Sequence, residues 1–209
     1  MRRSLAAYYG MTSLIDNEVG RILDYLDQTG LSENTLVVYT TDHGHLIGQH
    51  GLIAKGAFHY EDLLRVPMLV RQPGTVPAGQ VSDALQSLVD YPQTFLTAAG
   101  ITPPGLMQGV NQLGVWHGQA TKVRNWALVE NRHNPTKVHL RTLIDERYKI
   151  TVYRNADYGE LFDLVTDPGE LYNRWADPDY QAVKADLLLK FVQAEIQREG
   201  TRMPRITHA

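Results

Sequence analysis

The stretch Leu36-Val37-Val38-Tyr39-Thr40-Thr41-Asp42-His43-Gly44 decides how this chain is read, together with Lys55 in Ile53-Ala54-Lys55-Gly56. An apolar run ends in an acid, an imidazole and a glycine. The run Leu36 to Thr40 is apolar at successive positions, which predicts a buried strand of parallel type, covered on both faces. In open α/β sheets ligands collect beyond the carboxyl ends of the strands, so Asp42 and His43 stand where a metal or an anion would bind. A carboxylate beside an imidazole suits a divalent cation. Ca²⁺ and Mg²⁺ prefer oxygen, and the imidazole admits Mn²⁺ and Zn²⁺ as well. Lys55 adds a compact positive charge able to hold a sulfate or phosphate oxygen, or to offset charge on a departing one.

Taken singly, each residue has a plainer explanation. Asp-His-Gly is an ordinary turn after a strand, Lys55 an ordinary solvated charge, and His45, His50 and His59 ordinary hydrogen-bonded loop residues. The joint spacing carries the case. The segment from Asp42 to Tyr60 holds four glycines and four histidines without a clear period. It reads as a long ordered loop, and such loops in compact domains usually carry function.

Working outward, Met11, Leu14, Ile15, Val19, Ile22, Leu23 and Leu26 recur at helical spacing, with Gly30 as the stop. Val66 to Arg71 reads as a second strand, closed by Pro73-Gly74. Asp90 is expected to cap a helix through Phe95, Leu96 and Ala99 that ends at Gly100. Residues 1–115 therefore read as part of an α/β layer. Two strands cannot bury both faces of a parallel sheet or close its edges, so further strands are expected from another segment.

Residues 116–209 read differently. Asn111 to Thr121 is a polar, glycine-containing connection. Trp126 to Glu130, His139 to Ile144, Tyr148 to Tyr153 and Glu160 to Leu164 read as strands, with a tight turn at Asp145-Glu146. Asp177-Pro178 is a strong helix start, and Val183, Leu187, Phe191 and Val192 form the apolar stripe of a helix ending at Gly200. This is a small α+β subdomain, an antiparallel sheet with one long C-terminal helix.

Composition narrows the function classes. The 209 residues are 43% hydrophobic and carry a net charge of −3, with no basic stripe. A real core is affordable and an electrostatically held nucleic acid is not expected. No run of about 18 apolar residues predicts a membrane span, and no apolar signal-peptide core follows Met1-Arg2-Arg3. The absence of cysteine excludes disulfides, Cys-ligated zinc and thiol catalysis within these residues, and leaves cytoplasm and periplasm both open.

The ordered motifs together resemble the sulfatase family of the alkaline phosphatase-like superfamily. They are Tyr8-Tyr9-Gly10-Met11, Val19-Gly20-Arg21-Ile22-Leu23, Asn34-Thr35-Leu36-Val37, Thr41-Asp42-His43-Gly44, Gly48-Gln49-His50-Gly51-Leu52, Lys55-Gly56 and Arg65-Val66-Pro67. The likeness continues through Ser87-Leu88-Val89-Asp90, Gly159-Glu160-Leu161-Phe162-Asp163-Leu164 and Asp167-Pro168-Gly169-Glu170 with Asn173. It implies an α/β fold: part of an alkaline phosphatase-like sheet-and-helix core over residues 1–115, then the α+β subdomain. It implies that Asp42 and His43 bind one divalent metal, Ca²⁺ first with Mn²⁺ or Mg²⁺ as alternatives. Lys55 would bind the sulfuryl group and the bridging ester oxygen. Many sulfatases carry Asn where this chain has His43, which points to the choline-sulfatase and phosphonate monoester hydrolase-like subgroup.

The resemblance also implies what these residues lack. Family members use a formylglycine made in a Cys/Ser-x-Pro-x-Arg motif near the N-terminus, with an acidic pair that completes the metal site. Neither motif occurs here; Arg202-Met203-Pro204-Arg205 is an echo without a nucleophile. The chain is therefore expected to be a C-terminal portion, inactive alone, whose intact form hydrolyses small sulfated esters, with phosphate or phosphonate esters as the alternative. A non-catalytic metal- or anion-binding module is the reading from another class. A separate N-terminal half or a homo-oligomer is the expected partner. His59 has no family role beyond support of the site. Glu130, His133, His139 and Arg141 are candidates for the pocket mouth, His139 as a substrate contact, against the commoner case of a solvated sheet surface.

Overall fold

The computed structural model describes residues 2–133 and 137–199. Gly200 and the Arg202-Met203-Pro204-Arg205 echo lie outside the described residues. The chain packs as two compact units: residues 1–83 with 114–121, and residues 84–113 with 122–209. The segment 84–113, expected with the first half, packs with the second.

In the first unit, α1 (Arg2–Gln28) leads towards β1 (Val37–Thr40). The helix ends as its glycine predicts. Gly30 has φ +70°, its N–H reaches the Asp27 carbonyl at 3.2 Å, and the Leu31 N–H reaches the Leu26 carbonyl at 3.0 Å. This is the left-handed C-terminal motif that glycine adopts without steric cost. None of the α1 residues is buried. Met11, Leu14, Ile15, Ile22 and Tyr25, each at least half exposed, lie along one apolar stripe at helical spacing.

β1 does not pair in parallel. It pairs antiparallel with β4 (Met68–Arg71), in the register Val37↔Arg71 to Thr40↔Met68. All four β1 residues are half-buried, and Leu69 on β4 is 64% exposed. An apolar run reports burial, not the direction of the neighbouring strand, and here the chain turns back through the short helix α2 (Glu61–Leu64). The expected long ordered loop between Asp42 and Tyr60 holds a miniature hairpin, β2 (Leu46–Ile47) against β3 (Ile53–Ala54), anchored by the fully buried Leu46.

In the second unit, α3 (Asp90–Ala98) closes at Gly100, φ +72°, with the same paired carbonyl contacts as α1. Asp90 does not act as a simple cap. Fully buried, its carboxylate accepts from the backbone N–H of Ser87 and of Val110, both at 2.9 Å, from Gln112 Nε2 at 2.8 Å and from Arg124 at 2.5 Å. A buried carboxylate is stable only with such full pairing. Burial lowers the Arg124 guanidinium's pKa, and the Asp90 charge opposes that. The supposed polar connection contains α4 (Leu113–Trp116), whose buried Val115 and Trp116 count with the first unit, and the fully buried Gln112 precedes it.

A four-stranded antiparallel meander follows: β5 (Ala127–His133), β6 (Val138–Ile144), β7 (Tyr148–Tyr153) and β8 (Gly159–Asp163), in spatial order 5-6-7-8. Asp177 starts the last helical segment as expected, its side chain accepting from the Asp179 N–H at 3.0 Å ahead of Pro178 and α5 (Gln181–Arg198). Leu187, Phe191 and Ala194 of α5 pack on Leu143, Ile150 and Leu161 of the sheet to make the core. Beneath it lies an ion pair, Lys149 Nζ to Glu170 at 2.5 Å, both side chains 1% exposed. No described helix is long and apolar enough to cross a membrane.

Candidate active site

The site is built where β1 runs out. Gly44 is a point of close approach: its N–H donates to the Leu63 carbonyl at 2.8 Å, and a Cβ there would lie 1.8 Å from the Asp62 carbonyl oxygen. Only glycine lets this backbone lie against α2. The contact fixes the two residues before it. The His43 N–H donates to Asp42 Oδ1 at 3.0 Å, and His43 Nδ1 lies 2.8 Å from the Gly44 carbonyl. A carbonyl only accepts, so Nδ1 carries the proton and Nε2 presents its lone pair.

That lone pair faces Lys55, whose Nζ lies 2.8 Å from His43 Nε2. Asp42 Oδ2 is 3.5 Å from the same nitrogen, and its side chain is 79% exposed. Desolvation raises the Asp42 carboxyl's pKa, but the His43 imidazole, the His43 N–H and the Thr41 hydroxyl outweigh it and hold the carboxyl below its usual value. Two neighbouring residues and a lysine twelve positions on thus converge on one exposed point: a carboxylate, an imidazole lone pair and an ammonium.

The hairpin delivers Lys55. Its turn passes through Gly48, His50 and Gly51, all at positive φ, and Ala54 immediately before the lysine sits at φ +70°. Positive φ at an alanine is uncommon and has to be held by its surroundings. The other histidines part company. His50 stacks on Tyr60 and His45 on Tyr8, while His59 is buried at 5% exposure.

The second unit's candidates are largely occupied among themselves. Glu130 pairs with Arg132 at 2.6 Å and with Arg141 and Arg198, both at 3.1 Å. Arg141 also reaches Glu195 at 2.9 Å. Desolvation works against the Glu130 carboxylate, and these guanidiniums overcome it to lower its pKa. This is an ion-pair network tying the sheet to α5. His139, on β6, lies with Nδ1 3.1 Å from Arg154, and His133 sits at the end of β5 opposite Val138. The structure thus brings Asp42, His43 and Lys55 together within the first unit and places His139 in the second.

As a metal centre, Asp42 and His43 are a compatible but partial donor set. Oxygen and imidazole donors 3.5 Å apart suit one ion with bonds of about 2.0–2.6 Å, and such ions take about four to eight ligands. No group of three or more His, Cys, Asp or Glu side chains suited to a metal occurs among the described residues.

Comparison with known proteins decides the family. The family model described as "N-sulphoglucosamine sulphohydrolase, C-terminal" matches residues 48–197. The chain belongs to the sulfatase family. An N-acetylglucosamine-6-O-sulfatase of Bacteroides thetaiotaomicron is 30% identical over 87% of this sulfatase chain and 34% of its own length. A choline-sulfatase of Rhizobium meliloti is also 30% identical, over 85% and 34%. Among solved structures, a protein in complex with its substrate D-glucosamine-2-N,6-O-disulfate aligns with TM-score 0.83 and 28% identity, covering 90% of this chain and 39% of that one. The phosphonate monoester hydrolase of Agrobacterium radiobacter aligns with the same score and identity, covering 92% and 41%. The chain spans about a third of the length of the curated relatives described. The mixed helix-and-sheet fold, with antiparallel sheets and a long last helix, is that of a sulfatase C-terminal portion.

Sequence reasoning missed Gly44 as a contact, the Asp90 hub and the His50–Tyr60 stack. The glycine directly after His43 was the available signal for the first. Nothing local marks the other two, because their partners lie elsewhere in the chain.

Proposed function

We propose that this chain is the C-terminal portion of a metal-dependent sulfatase that hydrolyses sulfate esters, and that it does not turn over substrate by itself. The observation that carries this reading is the convergence of Lys55 on the Asp42–His43 pair. Asp42 and His43 would hold a divalent ion, Ca²⁺ first, Mn²⁺ or Mg²⁺ otherwise. When bound, such an ion supplies Lewis-acid polarisation of a sulfuryl oxygen. Lys55 would grip the sulfuryl group and the bridging ester oxygen, offsetting the negative charge that collects there as the bond to sulfur breaks.

These residues contain no cysteine and no Ser-x-Pro-x-Arg, so the formylglycine nucleophile and the remaining metal ligands have to come from outside them. The exposed apolar stripe of α1 supports a packing partner, either the segment that brings the nucleophile or a second copy. A second reading, hydrolysis of phosphate or phosphonate esters, is favoured by the phosphonate monoester hydrolase likeness. His139 remains a proposed substrate contact only in such an assembled enzyme.

The test is to sequence the DNA upstream of the Met1 codon and, where it encodes Cys/Ser-x-Pro-x-Arg with an acidic pair, to express both portions together. Sulfate ester hydrolysis that appears only with both, and falls by about 10²-fold or more in Lys55→Ala and His43→Ala, is the expected result. A higher kcat/KM for phosphonate monoesters selects the second reading. Unrelated upstream sequence, with metal or sulfate binding by the chain alone, selects a non-catalytic binding module.

A further inference from the structure

The segment that carries Lys55 is lined by aromatic rings to which the chemistry above gives no part. The His50 and Tyr60 rings stack with centroids 3.7 Å apart and planes 9° apart. Phe58 lies nearly parallel to Tyr60, at 15° and 6.4 Å between centroids. Phe58 also packs on Gly56, the residue after Lys55: a Cβ at position 56 would meet Phe58 Cε2 at 2.8 Å. Between these rings His59 turns inward to 5% exposure, while Phe58 is left 39% exposed. The result is a tier of three near-parallel rings, the most exposed of them a bare phenyl group packed on the residue that follows the loop's lysine.

His50, itself a ring of the tier, and Ala54, the residue before Lys55, both hold positive φ, at +53° and +70°. Backbone kept in that region must be held there by packing. Stacking holds Tyr60, and Tyr60 and Gly56 hold Phe58. A ligand ring laid on Phe58 would therefore meet a surface already ordered, at little entropic cost.

We propose that Phe58, backed by Tyr60 and His50, is the surface on which the leaving group of the ester lies while Lys55 holds its sulfuryl group. The preferred substrates are then sulfate esters of cyclic alcohols that present a flat apolar face, a sugar or an aryl ring, rather than of small acyclic alcohols. This rests on the role given to Lys55 under Proposed function. Phe58 would determine specificity and would have no part in bond breaking.

The test is NMR-detected titration of the full 209-residue chain with four probes: 4-nitrophenyl sulfate, glucosamine 6-sulfate, ethyl sulfate, which is acyclic and carries no cation to attract a ring face, and inorganic sulfate. One or both ring-bearing esters should bind about three- to tenfold more tightly than ethyl sulfate or sulfate, the worth of one well-placed stacking contact. Phe58→Leu should erase that margin while leaving sulfate affinity unchanged, and Phe58→Tyr should keep it. The preferred ester tells a sugar leaving group from an aryl one. Equal affinity for cyclic and acyclic esters, a margin that survives Phe58→Leu, or no measurable binding of either ring-bearing ester overturns the proposal. The role of Lys55 is read separately: Lys55→Gln should weaken all four probes alike, and unchanged affinities there would overturn the reading beneath it.

Discussion

Lys55 Nζ lies 2.8 Å from His43 Nε2, so an ammonium group sits on the lone pair that a metal ion would use. Because His43 Nδ1 is committed to the Gly44 carbonyl, no other tautomer satisfies both contacts. The lysine favours the tautomer with its lone pair on Nε2, and it would stand in the way of an ion bound there. A divalent ion arriving at Asp42 and His43 must displace Lys55 or tolerate a positive charge a few ångströms off. Lys55→Met is therefore expected to bind Mn²⁺ or Ca²⁺ about tenfold more tightly, the order of a close repulsion between such charges in water. Isothermal titration of the two proteins checks this. Weaker binding by the variant would mean that the lysine's ordering of His43 outweighs its repulsion.

Lys149 and Glu170 form a buried pair in the second unit. Removing one partner strands the other charge in a dry interior, which costs about 3–5 kcal/mol. Lys149→Met should therefore lower the denaturant midpoint steeply, and Lys149→Met with Glu170→Gln should recover part of the loss. Additive losses in this double-mutant cycle would show the two side chains to be uncoupled.

The Asp163 carboxylate is 1% exposed and accepts from Arg147 Nε at 3.2 Å and from its terminal nitrogen at 2.7 Å. The Arg147 hydrogen bonds lower its pKa below the ordinary 3.8; burial opposes them, and the Val165 and Thr166 N–H groups assist. A depressed native pKa stabilises the fold fully above the unfolded value and loses that stabilisation as pH falls through the native value. Stability should thus begin to fall below about pH 4. Asp163→Asn should flatten that acid limb in pH-dependent thermal melts. An unchanged limb would assign the acid sensitivity to other carboxylates.

The stripe on α1 predicts self-association of the chain when alone, since Leu14 and Ile22 are 61% and 60% exposed. Sedimentation velocity should show species above 23.6 kDa, and Leu14→Glu with Ile22→Glu should return the chain to monomer. A wild-type monomer at high concentration would mean that this face tolerates water.

Much of this architecture was legible because its signals are local. Gly30 and Gly100 end helices through their own backbone, Asp177-Pro178 starts one, and the sheet's strands are short runs set off by nearby turns. The direction of β1 was not legible, since Val37 to Thr40 look alike whichever way the neighbour runs. Asp90 reads as a helix cap until Val110, Gln112 and Arg124 are brought to it from far along the chain. The candidate site was legible in part. Asp42, His43 and Lys55 stand out by spacing, whereas the ring tier on Tyr60 depends on a turn at His50 whose positive φ nothing in the sequence announces.

Gly44 has no side chain with which to hold a ligand, yet its place against the Asp62 carbonyl changes how genetics at this site should be interpreted. A variant there would abolish any activity that depends on Asp42 and His43 as surely as deleting either, with every reacting group still present. Position 44 would score as essential in a screen blind to mechanism, and position 42, largely open to solvent, would score the same for a wholly different reason. Only a readout of folding set beside one of ion binding separates the residue that builds the site from those that use it.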